Sequence, residues 1–363
     1  MGQQRDELAE AAAFAQAHEV TWPRDPAAAL QPGETPWGVH HDDPPPFNRL
    51  RGPVHPRGPQ SGVVLRHGEE IAAWGEPDRA DLTFSVAKSY LALLAGVAQL
   101  RGLLPDENER VSARLPGIGF DDSEHNRAIT WAQLLTQTSE WQGTSFGLPD
   151  TVDRWRKVGL DPRPPAAGPK GSARPLQAPG TYWEYNDVRI NQLALALLHL
   201  FRRPLPEAFV ERVLAPLGGG GGFAWRGYDD AWIDLPGVGR VPSVPGGSHW
   251  GAGVSIGARD QARIGQLLLD GGVAGGRRLI ASEWIARMFT PCAIAPFYGR
   301  LLWLNRDGSA FAGFSTRAAF MVGAGGHYVG MDPELDAVVA LRWLDPAHAG
   351  ATLQRIGAAL SRR

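Results

Sequence analysis

The chain has 363 residues, 43% of them apolar and 20% charged, with a formal net charge of −2. This is the composition of a folded protein with core enough for two lobes or one large domain, and the absence of a basic stripe excludes nucleic acid as an expected partner. A single cysteine, Cys292, excludes an internal disulfide framework and fits a reducing compartment.

Residues 1–58 read as an appended N-terminal arm. The first ten residues lack the basic start and unbroken apolar core of an export signal. Asp6 stands where a myristoylation signal has Ser or Thr, and no apolar run approaches membrane-spanning length. The expectation is a cytoplasmic protein with no membrane partner. An Ala-rich helix is predicted near Leu8–His18, then Pro-punctuated chain through Pro44-Pro45-Pro46. His40-His41-Asp42-Asp43 is the one dense set of metal-ligating side chains. In this arm it reads as solvated loop, so neither a metal nor a cofactor is expected.

Ser61–Gly75 reads as a hairpin turning near His67-Gly68. Next comes Phe84-Ser85-Val86-Ala87-Lys88, opening a helix whose apolar positions are Tyr90, Leu91, Leu93, Leu94, Val97 and Leu100, with Gly102 as its stop. Residues three apart on a helix share a face, so the Lys88 amine can reach the Ser85 hydroxyl. The helix start adds unpaired N–H groups and a positive dipole end, which favour developing negative charge. Only three of the 36 basic residues are lysines, and lysine, unlike arginine, can surrender its proton when desolvated. The pair therefore reads as a nucleophile with its base, against the plain alternative of an N-cap followed by a solvated lysine.

From about 103 to 245 the pattern changes to helices joined by long Pro/Gly-rich connections, including Pro162–Pro175, with a well-marked helix over Asn191–Leu200. Gly218–Gly222 has no Gly-Lys-Ser/Thr after it and reads as a flexible linker. Beyond Gly251 the sequence predicts helices over Asp260–Asp270 and Ser282–Phe289, the latter with Ser282 as N-cap. Strands over Phe320–Met331 and Ala337–Trp343 and a closing helix over Pro346–Arg362 follow. Strands at both ends with helices between them predict an α/β (α+β) architecture. Residues 59–102 and 246–363 form a discontinuous sheet domain, an antiparallel sheet flanked by helices. Residues 103–245 are a mostly helical insertion.

A serine nucleophile needs a proton route and oxyanion donors. Tyr185, in Pro179-Gly180-Thr181-Tyr182-Trp183-Glu184-Tyr185-Asn186-Asp187, supplies a phenol just before a helix; the alternative is a packed aromatic. Gly323-Ala324-Gly325-Gly326-His327 interrupts a strand pattern and marks either close backbone approach of a ligand or a β-bulge.

Three signals now fall in a known order. Ser85-Val86-Ala87-Lys88 matches Ser-x-x-Lys, Tyr185-Asn186-Asp187 takes the place of Tyr-x-Asn, and Met321-Val322-Gly323-Ala324 takes the place of Lys/His-Thr-Gly. The chain resembles the serine β-lactamase and penicillin-binding-protein superfamily over about Gly62–Trp343. The branch is that of class C β-lactamases, esterases and 6-aminohexanoate-dimer hydrolases, and Ile129–Ser139 resembles the segment that follows its first motif. The resemblance implies the β-lactamase/transpeptidase-like fold, Ser85 as nucleophile, Lys88 as its base partner and Tyr185 as proton relay. The backbone N–H groups of Ser85 and Ala324 would form the oxyanion hole. Asp187, Glu140, Trp141, His249, Gly323 and His327 are candidate pocket residues. Two departures stand out: Asp187 where Asn is usual, and no Lys or His in Met321-Val322-Gly323. Both favour a small ester or amide as substrate over a β-lactam. β-Lactamase or D-peptidase activity, and a non-catalytic ligand-binding or sensor module of the same fold, are the alternatives. A rival nucleophile is Ser145 in Gly143-Thr144-Ser145-Phe146-Gly147, whose context lacks the strand and helix of a nucleophile elbow.

Overall fold

The computed structural model describes residues 2–27, 37 and 43–361. Its centre is a six-stranded antiparallel sheet that draws on both ends of the chain. The strands are β1 (Ser61–Arg66), β2 (Glu69–Trp74), β3 (Trp303–Leu304), β4 (Ala319–Gly323), β5 (His327–Asp332) and β6 (Ala337–Arg342), in the spatial order β3-β4-β5-β6-β1-β2. Closure of the sheet depends on β1 pairing with β6, Ser61 opposite Arg342 through Arg66 opposite Ala337. Every residue of β5 and β6 is buried, as expected of strands covered on both faces. The edge strand β2 is half exposed.

Helices cover this sheet. α1 (Gly2–Ala17) packs through Leu8, Ala11, Ala12 and Ala15 on the closing helix α6 (Pro346–Ser361). α2 (Val86–Leu100) is buried at every position from Val86 to Ala98, so it is a core helix rather than an amphipathic surface one. It lies against β4 and β5. Ser89 ties it down by donating to the Leu301 carbonyl at 2.6 Å. α4 (Ala258–Leu269) runs along β5, β6 and β1.

Between the halves of the sheet, the longest helix is α3 (Asp187–Phe201), whose cap is Asn186 accepting from the Arg189 N–H at 3.1 Å. Around it residues 103–245 form short helical turns, irregular chain and five short strand segments. One of these, Ala224–Arg226, joins Gly253–Ile256 and Asp81–Leu82 in a separate three-stranded sheet.

Three expectations need correction. Ser282 is the first residue of helix α5 (Ser282–Met288), and Ala281 occupies the cap. The run Phe320–Met331 is two strands, not one: Gly325 and Gly326, both with φ near +75°, turn β4 back into β5, so the glycines make a hairpin rather than a bulge. The five-glycine run is pinned, because Gly220 donates to the Asp260 carboxylate at 2.8 Å, and a side chain at Gly219 would meet that same carboxylate.

Close approach of α2 and α5 depends on Gly96, where a Cβ would lie 2.5 Å from the Trp284 ring, whose indole donates to the Ala92 carbonyl at 3.0 Å. Gly96→Val is expected to lower the unfolding free energy in urea by about 1 to 3 kcal/mol through overpacking, with an unchanged denaturant slope.

Candidate active site

The nucleophile candidate owes its position to a strained residue. Thr83 donates to the Val254 carbonyl at 2.8 Å, extending the small sheet by one residue. Phe84 then adopts φ +51°, a left-handed conformation that is costly for a bulky side chain. An aromatic box holds it there: Trp22, Trp37 and Trp343 surround the Phe84 ring at centroid distances of 5.6, 6.1 and 6.0 Å. The kink delivers Ser85 to the N-cap of α2, half-buried. Lys88 follows one turn later and its ammonium donates to Ser85 Oγ at 2.8 Å.

Tyr185 lies in the extended segment before α3. Its ring centroid is 4.8 Å from Lys88 Nζ and 5.3 Å from the Arg156 guanidinium carbon, and its far face stacks on Trp303 at 5.6 Å. Asp187, in the first turn of α3, forms an ion pair with Lys88 through Oδ1 and another with Arg156 through Oδ2. Oδ2 also faces His249 Nδ1 at 2.9 Å. Burial alone would raise the Asp187 carboxyl, yet Arg156, Lys88 and His249 together hold it well below the usual carboxylate range.

The charges continue outward. His249 Nε2 lies 2.7 Å from Asp43 Oδ2, and Asp43 pairs with Lys170, which lies 3.5 Å from Asp153. Asp153 accepts from the Asp187 backbone N–H at 2.7 Å and pairs with Arg156 at 3.2 Å, closing a ring. Burial opposes the charge on Asp153, but Arg156, His249 and Lys170 hold its carboxyl down to about 2. Asp43, Asp153 and His249 stand close enough to share a cation. Among the described residues, Lys170 and Arg156 are cations in contact with them.

Above Ser85 and Lys88 the backbone comes very near. A Cβ on Gly247 would lie 3.0 Å from Lys88 Nζ and 3.4 Å from Ser85 Oγ, so glycine keeps this space open. At the end of β4, a Cβ on Gly323 would lie 3.2 Å from the Ser85 nitrogen. Ala324, the next residue, is exposed.

Not every sequence candidate faces this space. Glu140 is wholly buried and paired with Arg174 and Arg189. Trp141 is buried against Phe120 with its indole donating to the Gly119 carbonyl at 2.8 Å. Both serve the protein interior, which corrects their reading as cleft lining. His327 is buried with no hydrogen-bond partner for either ring nitrogen among the described residues, and packs edge-on against Trp343 at 4.4 Å. Burial, with the Arg342 and Arg57 charges, holds its imidazole well below the usual histidine range, so it is a packing residue. Ser145 is buried in a two-residue hairpin between Thr144–Ser145 and Leu148–Pro149 with no α-helix behind it, not on an elbow. His40, His41 and Asp42 lie outside the described residues. Asp43, read as solvated, is buried in the site, and Asp153, Arg156, Lys170 and Gly247 were not singled out at all. The one available signal was the rarity of lysine, since Lys170 is one of three.

The beta-lactamase family matches residues 62–345. The chain belongs to the beta-lactamase family. Among its relatives, 6-aminohexanoate-dimer hydrolase of Paenarthrobacter ureafaciens is 31% identical over a segment covering 26% of each protein, so the match spans about a quarter of that relative. A family VIII carboxylesterase is 20% identical with a TM-score of 0.60 over 83% of this chain and 92% of that one. A D-stereospecific amidohydrolase from Streptomyces sp. is 17% identical with a TM-score of 0.55 over 83% and 93%. At such identities the likeness to the two structures is one of fold, here the serine-hydrolase fold of the beta-lactamase family. Among the described residues, no helix is long and apolar enough to cross a membrane.

The depressed Asp187 carboxyl predicts a pH dependence. A group whose folded-state value lies below its unfolded one stabilises the fold at pH above the ordinary 3.8, and that contribution is lost as pH falls toward the folded value. Asp187→Asn removes this titration. Urea unfolding between about pH 5 and 2 is expected to show a shallower acid loss of stability in the variant than in the native chain.

Proposed function

We propose that this beta-lactamase-family protein is a serine hydrolase that cleaves a small ester or amide through an acyl group carried on Ser85. The observation that carries the reading is the Lys88 Nζ to Ser85 Oγ hydrogen bond of 2.8 Å at the start of a buried helix, with the Tyr185 ring beside the same ammonium. In the proposed sequence Ser85 Oγ attacks the carbonyl carbon, and its proton passes to whichever of Lys88 and Tyr185 is deprotonated in the substrate complex. The N–H groups of Ser85 and Ala324 hold the oxyanion, and the proton is returned to the leaving alcohol or amine. Water then attacks the acyl ester by the same route and releases the acid.

Two features favour an ester or simple amide. The strand position where relatives of the class C type present a cation to the substrate carboxylate holds Met321, which is buried, followed by Val322. Beside Tyr185 stands an aromatic wall of Trp183, Phe297, Tyr298 and Trp303, with ring centroids 5.0 to 6.2 Å apart along it. Phe297 is its partly exposed member, suited to an apolar acyl or leaving group. The expected location, from the sequence, is the cytoplasm.

Ser85→Ala is expected to reduce p-nitrophenyl ester turnover by about 10³-fold or more while retaining the native circular dichroism, and Ser145→Ala to keep full activity. Full turnover by Ser85→Ala would overturn the assignment. A panel of short-chain esters, 6-aminohexanoate dimer and nitrocefin is expected to rank the esters first; nitrocefin as the best substrate would replace the ester reading with a β-lactamase one.

A further inference from the structure

We propose that Asp43, from the N-terminal arm, is a positioning residue of the active site: through His249 it fixes Asp187, and through Asp187 the Lys88 ammonium that is bonded to the nucleophile. The inference rests on the Ser85 hydrolase reading and adds to it a residue from outside the segment that matches the family, which begins at residue 62.

The geometry is a single line of contacts. Asp43 Oδ2 lies 2.7 Å from His249 Nε2, His249 Nδ1 lies 2.9 Å from Asp187 Oδ2, and Asp187 Oδ1 pairs with Lys88, which donates to Ser85 at 2.8 Å. Each ring nitrogen of His249 thus meets one carboxyl oxygen, Nδ1 that of Asp187 and Nε2 that of Asp43. The contact with Asp43 holds the far side of the ring and so fixes its orientation toward Asp187. The ring is held on its face by Trp250 at 4.0 Å. Without Asp43, the His249 ring can turn away and leave Asp187 Oδ2 to Arg156, which shifts the carboxylate on which Lys88 sits. Small displacements of a catalytic pair are enough to slow chemistry without weakening substrate binding.

The arm is well placed to do this. Asp43 is itself buried, and its second oxygen pairs with Lys170 from the Pro-rich stretch. Trp22 and Trp37 of the same arm close the box around Phe84, the residue before the nucleophile. One segment therefore reaches the reactive pair from two sides, one apolar and one charged.

The test is a double-mutant cycle on the full chain, read as the burst rate of p-nitrophenol release and as steady-state KM. Asp43→Asn and His249→Gln are each expected to slow acylation about tenfold and leave KM within about twofold, and the double variant to be no slower than the slower single one, because the two act on one path. Leu8→Ala, which loosens the arm helix where it packs on α6, is expected to acylate at the native rate. Native acylation by Asp43→Asn, multiplying effects in the double variant, or an equal loss in Leu8→Ala would each overturn the proposal. Labelling of Ser85 in the native chain by a fluorophosphonate separates the two levels. Labelled Ser85 with an indifferent Asp43→Asn sinks this inference alone, whereas an unlabelled Ser85 sinks the hydrolase reading and this inference with it.

Discussion

Burying the ammonium of Lys88 beside the Ser85 hydroxyl is the constraint to which the rest of the site answers. Lys88 is 1% exposed, and a lone charge in that position would cost several kcal/mol in lost hydration. A carboxylate must stand beside it, and Asp187 does. That carboxylate replaces an amide that carries no charge in the related Tyr-x-Asn motif, so the added negative charge needs its own partners. Arg156 and His249 supply them. Arg156 then brings in Asp153, His249 brings in Asp43, and Lys170 bridges the two aspartates. Each buried charge requires the next, and the sequence of requirements ends only when the ring closes. A departure from the family pattern at one position is thus balanced by Arg156 and His249 directly, and beyond them by Asp153, by Lys170 of the Pro-rich stretch and by Asp43 of the arm.

The fold makes this ring possible by bringing distant segments to one point. The sheet joins residues 61–74 to 303–342, which sets α2 against β4 and places the end of that strand beside the Ser85 nitrogen. Phe84 carries the backbone strain of the turn into α2, and aromatic packing from the arm and from Trp343 offsets it. Asp81 reinforces the same corner: its carboxylate accepts from the Gly58 N–H at 2.9 Å and the Trp343 indole at 2.8 Å, and pairs with Arg79 and Arg342. The region around Ser85 is therefore held in place by contacts that lie partly outside the Ser-x-x-Lys segment.

What was legible in the sequence is what is local. Ser85 and Lys88 sit three apart on one helix, so their contact follows from helical geometry alone, and the hairpin of Ser61–Gly75 and the helices α2 and α3 follow from periodicity. The charge ring was not legible, because its contacts join residues as far apart as Asp43 and His249, and nothing in a solvated-looking His-His-Asp-Asp run says that one member will be buried. Glu140 and Trp141 mislead for the related reason that adjacency to a motif does not fix the direction of a side chain. Glu140 turns inward to Arg174 and Arg189, whose approach is set by tertiary packing. The glycines within 323–326 read as ligand approach or a bulge, and only the pairing of β4 with β5 reveals the hairpin.

The most direct measurement is rapid-quench peptide mapping of the protein mixed with p-nitrophenyl acetate. The account predicts one acetyl group per chain during the burst, carried by the peptide containing Ser85 and lost on longer incubation as water completes the cycle. An acetyl group on any other residue, or product formation with no acylated peptide at any time, would contradict it.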